Sequence, residues 1–369
     1  MNATNTKTIL MTAFEPSGDA LGAMAARGLR DTDSDVQLYG LGGSEMEAAG
    51  VQLLATTTHQ AKMGVGAISE IKRIKRLVDM VGVWIKEHNP DVVVAVDSPA
   101  ANWPVCRVAK KYGCKVVHLA APQLWAWAPW RIKKMKRLSD HVMCLLPFEP
   151  EWFESRGMPA TFIGHPAMGT YETKELALPN GDPKIVLLPG SRKSEIVKNL
   201  PMQQAILHRI SEAFPRVEAV IACRGEDVYR VQPYAKDLQI VADNVPTVLE
   251  WADLAMNVSG TVSLHVMRHA TPMIGMYKVN LLSTLAAKIV LNTPYRLLPN
   301  LIAGKQIVPE FIPCGNIAGK IAELAVELLQ DEEAMEEMRR QLQKEAAVYA
   351  PHNPSQEAAE IILSFASNN

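Results

Sequence analysis

The chain has 369 residues, which favours two domains over one, and its 48% apolar and 21% charged composition can bury substantial cores. A net charge of −1 removes any global electrostatic case for nucleic acid. The five cysteines (Cys106, Cys114, Cys144, Cys223 and Cys314) form no CxxC pair, which argues against a zinc site and fits a reducing compartment.

The first nineteen residues hold no apolar h-region ending at a cleavage site, and no apolar run approaches about 18 residues. Neither a signal peptide nor a membrane-spanning helix is therefore expected. Thr8–Ala13 (TILMTA) predicts a first buried strand. In the FEPSGD that follows, Gly18 suits a turn, and Ser17 or Asp19 a helix cap, before the small-residue helix ALGAMAARGLRD. This is a Rossmann-like opening without the full GxGxxG. Leu38–Leu41 predicts a short second strand. Gly66–Glu87 predicts a helix, with Ile68, Ile71, Ile74, Leu77, Val78, Val81 and Ile85 at helical spacing and Lys72, Arg73, Lys75 and Arg76 on the other faces. Such a basic amphipathic helix suits either an anionic membrane surface or an ordinary solvated face.

Asp91–Val96 (DVVVAV) predicts a buried strand that delivers Asp97 at its carboxyl end, where open α/β sheets place their chemistry. Val116–Leu119 is a further strand. It leads into three tryptophans, Trp125, Trp127 and Trp130, and then five basic residues, Arg131, Lys133, Lys134, Lys136 and Arg137. Core packing, an acceptor groove and lipid headgroups are the three readings of that segment. His141–Leu146 closes the run of strands, and the alternation predicts a parallel sheet. An interdomain linker is expected between Pro166 and Pro183, which is rich in turn residues.

The second half opens on Lys184–Leu200, KIVLLPGSRKSEIVKNL. A buried strand, the turn Pro189-Gly190 and a helix with Ser191 as N-cap would point free N–H groups at an anion, with Arg192 and Lys193 adding charge. An ordinary βα connection is the competing reading. Strands are expected at Val217–Ala222, Gln239–Val241, Leu254–Val258 and Met273–Tyr277. The fourth leads into SGTVSLHVMRH, a second glycine turn before a helix. Leu282–Val290 is apolar with Lys288, and PNLIAGKQIVPEF reads as an irregular loop. Asp331–Ala347 predicts a charged helix, and SQEAAEIILSFAS an amphipathic one that crosses back to the first domain. The expected domains are 1–168 and 169–353, with the helix 354–369 packing on the former. Two such halves with a cleft between them suit a nucleotide-sugar transferase, in which a carboxylate deprotonates a hydroxyl and a glycine turn stabilises the leaving diphosphate.

At this point nine blocks resemble the lipid-A-disaccharide synthase family of inverting glycosyltransferases. They are FEPSGDALGA (Phe14–Ala23), KMGVGAISEI (Lys62–Ile71), DVVVAVDSP (Asp91–Pro99), PQLWAW (Pro122–Trp127), LLPFEPEWF (Leu145–Phe153), FIGHP (Phe162–Pro166), LLPGSRKSEI (Leu187–Ile196), SGTVSL (Ser259–Leu264) and LPNLIAGKQIVPEF (Leu298–Phe311). They run in family order across nearly the whole chain. The resemblance implies the α/β GT-B fold, two Rossmann-like domains with parallel sheets facing across a cleft. It implies transfer of 2,3-diacylglucosamine from its UDP derivative to 2,3-diacylglucosamine 1-phosphate (lipid X), giving lipid A disaccharide 1-phosphate and UDP. It further implies no metal or cofactor, no nucleic acid, and peripheral association with the inner face of the cytoplasmic membrane; a homodimer is allowed for.

Position by position, Asp97 matches the family's essential aspartate, the expected base, and Arg192 the arginine of the PGSR turn. Gly190, Ser191, Arg192, Ser259, Gly260, Thr261, His265, Asn300 and Gly304 fall on the donor side. Ser17, Gly18, Asp19, Met63, Trp125 and Trp127 fall on the acceptor side. The sequence departs from the family at Ala100, where a second acid is common, at Pro313, often glutamine, and at His265, where a glutamate commonly accepts both ribose hydroxyls of UDP. Imidazole has one acceptor and one donor when neutral, so that pairing must change, and an unperturbed pKa would make UDP binding depend on pH across the neutral range. Two rival readings stand beside this one. The first is a transferase or epimerase for another UDP-sugar. The second is a non-catalytic membrane-surface protein on the same fold, distinguishable by its failure to bind UDP.

Overall fold

The computed structural model describes residues 6–58, 67–170, 173–278 and 293–367, with 67–70 described by their backbone alone. The chain forms two units, residues 1–166 with 351–369, and residues 167–350.

The first unit is built on a seven-stranded sheet: β1 (Thr8–Thr12), β2 (Gln37–Gly42), β3 (Gln52–Thr56), β4 (Val92–Val96), β5 (Lys115–Leu119), β6 (His141–Cys144) and β7 (Ala160–Phe162). Their order is β3-β2-β1-β4-β5-β6-β7, and every pair is parallel. The connecting helices are α1 (Pro16–Thr32), α2 (Ser44–Ala48), α3 (Ala67–His88), α4 (Pro99–Lys111), α5 (Leu124–Trp127), α6 (Ile132–Leu138) and α7 (Glu149–Glu154). β4 shows why a continuous apolar run is needed. Val92, Val94 and Val96 join the core on the α1 face, while Val93 and Ala95 join the core on the face of α3, α4 and α6. Each fully buried valine contributes roughly 1.5–3 kcal/mol. Because β1 and β4 are neighbours but not consecutive, the strand order reverses between them, and their carboxyl ends flank the crevice such sheets use for ligands.

The second unit repeats the plan with β8 (Lys184–Leu188), β9 (Glu218–Cys223), β10 (Gln239–Ala242), β11 (Leu254–Asn257), β12 (Met273–Lys278) and β13 (Glu310–Cys314), in the order β10-β9-β8-β11-β12-β13. Its reversal falls between β8 and β11, the strands that carry the PGSR and SGT turns. Its helices are α8 (Lys193–Ala213), α9 (Val228–Val231), α10 (Val245–Trp251), α11 (Val262–Arg268), α12 (Leu298–Ala303), α13 (Ala318–Gln330) and α14 (Glu332–Ala347).

Several expectations change. The stretch read as an irregular loop holds α12 and then β13. Pro299 sits in the first turn, where its missing N–H costs nothing, and Gly304, with φ +64°, ends the helix. Ile71, placed on the packed face of α3, is 67% exposed, whereas Ile74, Leu77, Val78, Val81 and Ile85 do pack on the core. The apolar segment Leu282–Val290 and the side chain of Ile68 lie outside the described residues.

The last helix, α15 (Pro354–Ala366), packs on α1 within the first unit. Ala358, Ala359, Ile362 and Ala366 enter the α1-side core, and the Ser355 hydroxyl donates to the Met24 carbonyl at 2.8 Å. Gly28 permits this approach, since a Cβ there would stand 2.1 Å from the Ser355 carbonyl oxygen. In an unobstructed helix Gly→Ala stabilises by roughly 0.8–1 kcal/mol. Here the backbone contact wins, and Gly28→Ala should destabilise by about 1–3 kcal/mol. Urea unfolding of both proteins checks the sign.

Candidate active site

In the first unit the candidate site is the corner after β4. Asp97 and Ser98 both adopt left-handed backbone, with φ of 50° and 34°, before α4 begins at Pro99. Asn102, fully buried one turn into α4, closes that corner. Its amide donates to the carbonyls of Val96 at 2.7 Å and Asp97 at 2.9 Å, and its oxygen accepts from the Thr12 hydroxyl at 2.7 Å. The end of β1 is thereby tied to the turn that presents Asp97. Ser17, in the first turn of α1, acts on the Asp97 carboxylate and lowers its pKa. The first turn of α1 lies against this edge, and a Cβ at Gly18 would meet the Val96 carbonyl oxygen at an ordinary contact distance of 3.5 Å. Burial raises the Asp97 pKa above the usual carboxylate range, and the charge of Glu15 adds to the shift, while the Ser98 backbone and Ser17 hydroxyl hydrogen bonds lower it. The result is a carboxylate more basic than one in water, poised to take a proton. Behind it, His118 on β5 is held neutral by burial, with a pKa of about 4.

The other acceptor-side residues have separate surroundings. Asp19 neither caps α1, whose N-cap is Glu15, nor stands free. Its carboxylate accepts from the amides of Gly43 at 2.7 Å, Glu45 at 3.1 Å and Met46 at 3.2 Å, fixing the start of α2. Trp125 donates its indole N–H to Glu149 at 3.0 Å and meets Phe148 edge-on. Trp127 carries the Arg131 guanidinium 5.2 Å from its ring centroid. Met63 lies outside the described residues.

In the second unit the PGSR turn departs from the expected free anion site. The N-cap of α8 is Arg192, not Ser191, and the amides of Ser191 and Arg192 both donate to Glu195 at 3.2 Å. The same buried carboxylate accepts from the Arg192 guanidinium at 3.0 Å and the Tyr277 hydroxyl at 3.2 Å. Gly190, at φ +100°, is required because a Cβ would lie 2.5 Å from Glu195 Oε2. An internal anion thus fills the turn, while the Arg192 side chain remains 77% exposed.

The second glycine turn is open. Gly260, at φ +129°, and Thr261 are exposed, and their amides donate to no group among the described residues. The Ser259 hydroxyl donates to the Arg296 carbonyl at 3.0 Å. The Arg296 and Leu297 amides donate to Glu310, as does Asn300. Asn300 spends its whole side chain on its own loop, donating also to Val308 and accepting from the Ile307 and Val308 amides. It shapes the loop that ends at Gly304 and has no amide group left for a nucleotide. His265, half-buried on α11, has its pKa lowered by burial and by the charge of Arg268. That shift favours the neutral imidazole and moves any dependence of UDP binding on its charge toward acid pH.

The roles of Asn102, Glu149 and Glu195 went unread in the sequence. An available signal was the polar residue breaking an apolar surround, as Asn102 does between Ala101 and Trp103.

The family model for lipid-A-disaccharide synthetase matches residues 9–364. The chain is 32% identical over 349 residues to the lipid-A-disaccharide synthase of Gluconobacter oxydans, covering 90% of this chain and 84% of that protein. It is 32% identical over 375 residues to the synthase of Idiomarina loihiensis, covering 97% and 98%. The chain belongs to the lipid-A-disaccharide synthase family. It is a glycosyltransferase of the GT-B fold. The solved calicheamicin glycosyltransferase CalG4 superposes with a TM-score of 0.65 over 99% of both chains at 13% identity, a likeness of fold alone.

In this family member Glu149 links two segments at the carboxyl edge of the first sheet. It is fully buried, and besides Trp125 it accepts from the amides of Leu145 at 3.2 Å and Leu146 at 3.1 Å. Burial pushes its pKa up to about 7, against the opposing pull of those hydrogen bonds. The folded state therefore holds this proton more tightly than the unfolded chain. The carboxyl's contribution to stability is fully present below its unfolded value of about 4.3 and is lost as pH rises through about 7. Glu149→Gln should abolish that component. The wild type should lose stability relative to the variant as pH rises from about 4.5 to 7.5, measured by thermal unfolding at matched ionic strength.

Proposed function

We propose that this enzyme joins the 2,3-diacylglucosamine of its UDP derivative to 2,3-diacylglucosamine 1-phosphate, releasing UDP, with Asp97 as general base. The acceptor hydroxyl gives its proton to the Asp97 carboxylate as its oxygen bonds to the anomeric carbon. The bond from that carbon to the diphosphate breaks with inversion, and the electron pair leaves with UDP. The observation that carries the reading is the Asp97 corner, a carboxylate of raised basicity at the reversal point of the first sheet. The exposed amides of Gly260 and Thr261, at the reversal point of the second sheet, suit the leaving diphosphate, and Arg192 supplies a cation.

Peripheral attachment to the inner face of the cytoplasmic membrane belongs to the same proposal. Among the described residues no helix is long and apolar enough to cross a membrane. α3 instead exposes Ile71 beside Lys72, Lys75 and Arg76, an apolar and basic surface suited to anionic headgroups.

Incubation with UDP-diacylglucosamine and the monosaccharide 1-phosphate, followed by detection of a phosphorylated disaccharide, tests the reaction. Asp97→Asn keeps the shape and should lower turnover about 10²–10⁴-fold. A folded variant that turns over near the wild-type rate would make Asp97 structural.

A further inference from the structure

Two cations, Arg131 and Lys134, lie on a ring of the helix that follows the Asp97 corner, and the charges of Arg107 and Arg137 act on Lys134. Trp103 directly follows Asn102 on α4 and is buried. The Arg131 guanidinium lies 4.3 Å from its ring centroid and the Lys134 ammonium 4.5 Å. Arg131 also meets Trp127. The Lys134 pKa is lowered by burial and then by the charges of Arg107, Arg131 and Arg137. Among the described residues none of these four cations pairs with a carboxylate, although acidic residues outnumber basic ones across the chain, 39 to 38. The Trp103 indole N–H is likewise buried without an acceptor among the described residues. The cluster is all donor and no acceptor.

A bound anion would relieve the repulsion among these like charges, which otherwise disfavours the charged form of Lys134. The basic residues Lys72, Lys75 and Arg76 of α3 are exposed. Here Arg131 and Lys134 are half-buried and fixed on aromatic rings, which spends their side-chain entropy before any ligand arrives. A phosphate monoester, with about two negative charges at neutral pH and three terminal oxygens, matches several convergent cations, and the planar guanidinium can bind two of its oxygens at once. We propose that Arg131 and Lys134, backed by Arg107 and Arg137, form a phosphomonoester subsite that receives the 1-phosphate of the acceptor sugar. This rests on the proposed reaction for the source of the phosphate, not for the chemistry of the site.

The test has a binding arm that needs no turnover. Glucosamine 1-phosphate is titrated into the full-length protein with tryptophan fluorescence as readout, for the wild type, Arg131→Gln, Lys134→Gln and Arg131→Lys. The wild type should show saturable quenching reversed by inorganic phosphate, and unphosphorylated glucosamine should give none. Each glutamine variant should weaken binding at least tenfold with unchanged thermal unfolding. Arg131→Lys, which keeps charge but loses the planar fork, should fall between. In turnover, the glutamine variants should raise KM for the phosphorylated acceptor and leave KM for the UDP-sugar unchanged. The last arm is co-sedimentation with phosphatidylglycerol vesicles, against phosphatidylcholine as control. If the glutamine variants lose anionic-vesicle binding while glucosamine 1-phosphate binding is unaltered, the cluster is a membrane contact and the proposal is wrong. Saturable sugar-phosphate binding without disaccharide formation by the wild type would overturn the proposed reaction and keep the subsite.

Discussion

The first unit depends on one buried amide. Two consecutive non-glycine residues, Asp97 and Ser98, stand in left-handed backbone, which costs roughly 1–2 kcal/mol each. Asn102 makes three hydrogen bonds around that corner, each contributing about 0.5–1.5 kcal/mol net. The two sums are of the same size, so the amide can hold a conformation the chain would otherwise leave. The strain turns the Asp97 carboxylate away from the continuing strand. The bond from Thr12 joins β1 to the same corner, and the next residue, Trp103, carries the two cations. The Asp97 corner, its tie to β1 and the cation cluster thus meet at adjacent residues on one helix.

The second unit solves a related problem with carboxylates. Glu195 gathers the amides of the PGSR turn, the Arg192 guanidinium and the Tyr277 hydroxyl. Glu310 gathers the amides at the start of α12 together with Asn300. Both are internal anions that fix a loop while leaving its outer groups for a ligand. Arg192 keeps an exposed side chain over a rigid turn, and Ser259 is tied through Arg296 to the loop that Asn300 shapes. Much of the donor-side sequence motif therefore goes into fixing its own loops, and fewer of its residues present groups outward.

The sequence was informative where a local pattern decides the structure. The strand before Asp97 is legible because β4 is covered on both faces and must be apolar throughout, and α3 because its buried side chains recur at helical spacing. β13 was hidden because Pro309 precedes and Pro313 interrupts a short strand, and α12 because it has only six residues, with Pro299 in its first turn and Gly304 just past its end. Asp97 could be placed from its position at a strand end. The partners of Asp19, 24 to 27 residues away, and of Trp125, 24 residues away, could not be placed, because nothing local specifies a long-range hydrogen bond. For the same reason Glu195 read as ordinary first-turn acidity, although its carboxylate also binds Tyr277, 82 residues further on.

The central claim is that Asp97 takes the acceptor proton, and the acid limb of the pH–kcat/KM profile tests it most directly. Activity should be lost as pH falls through the pKa of Asp97, which burial sets above the ordinary carboxylate range. Ser17 pulls that pKa down, so Ser17→Ala should move the acid limb to higher pH. An acid limb at the same pH in both proteins would contradict the account and assign the proton to another group.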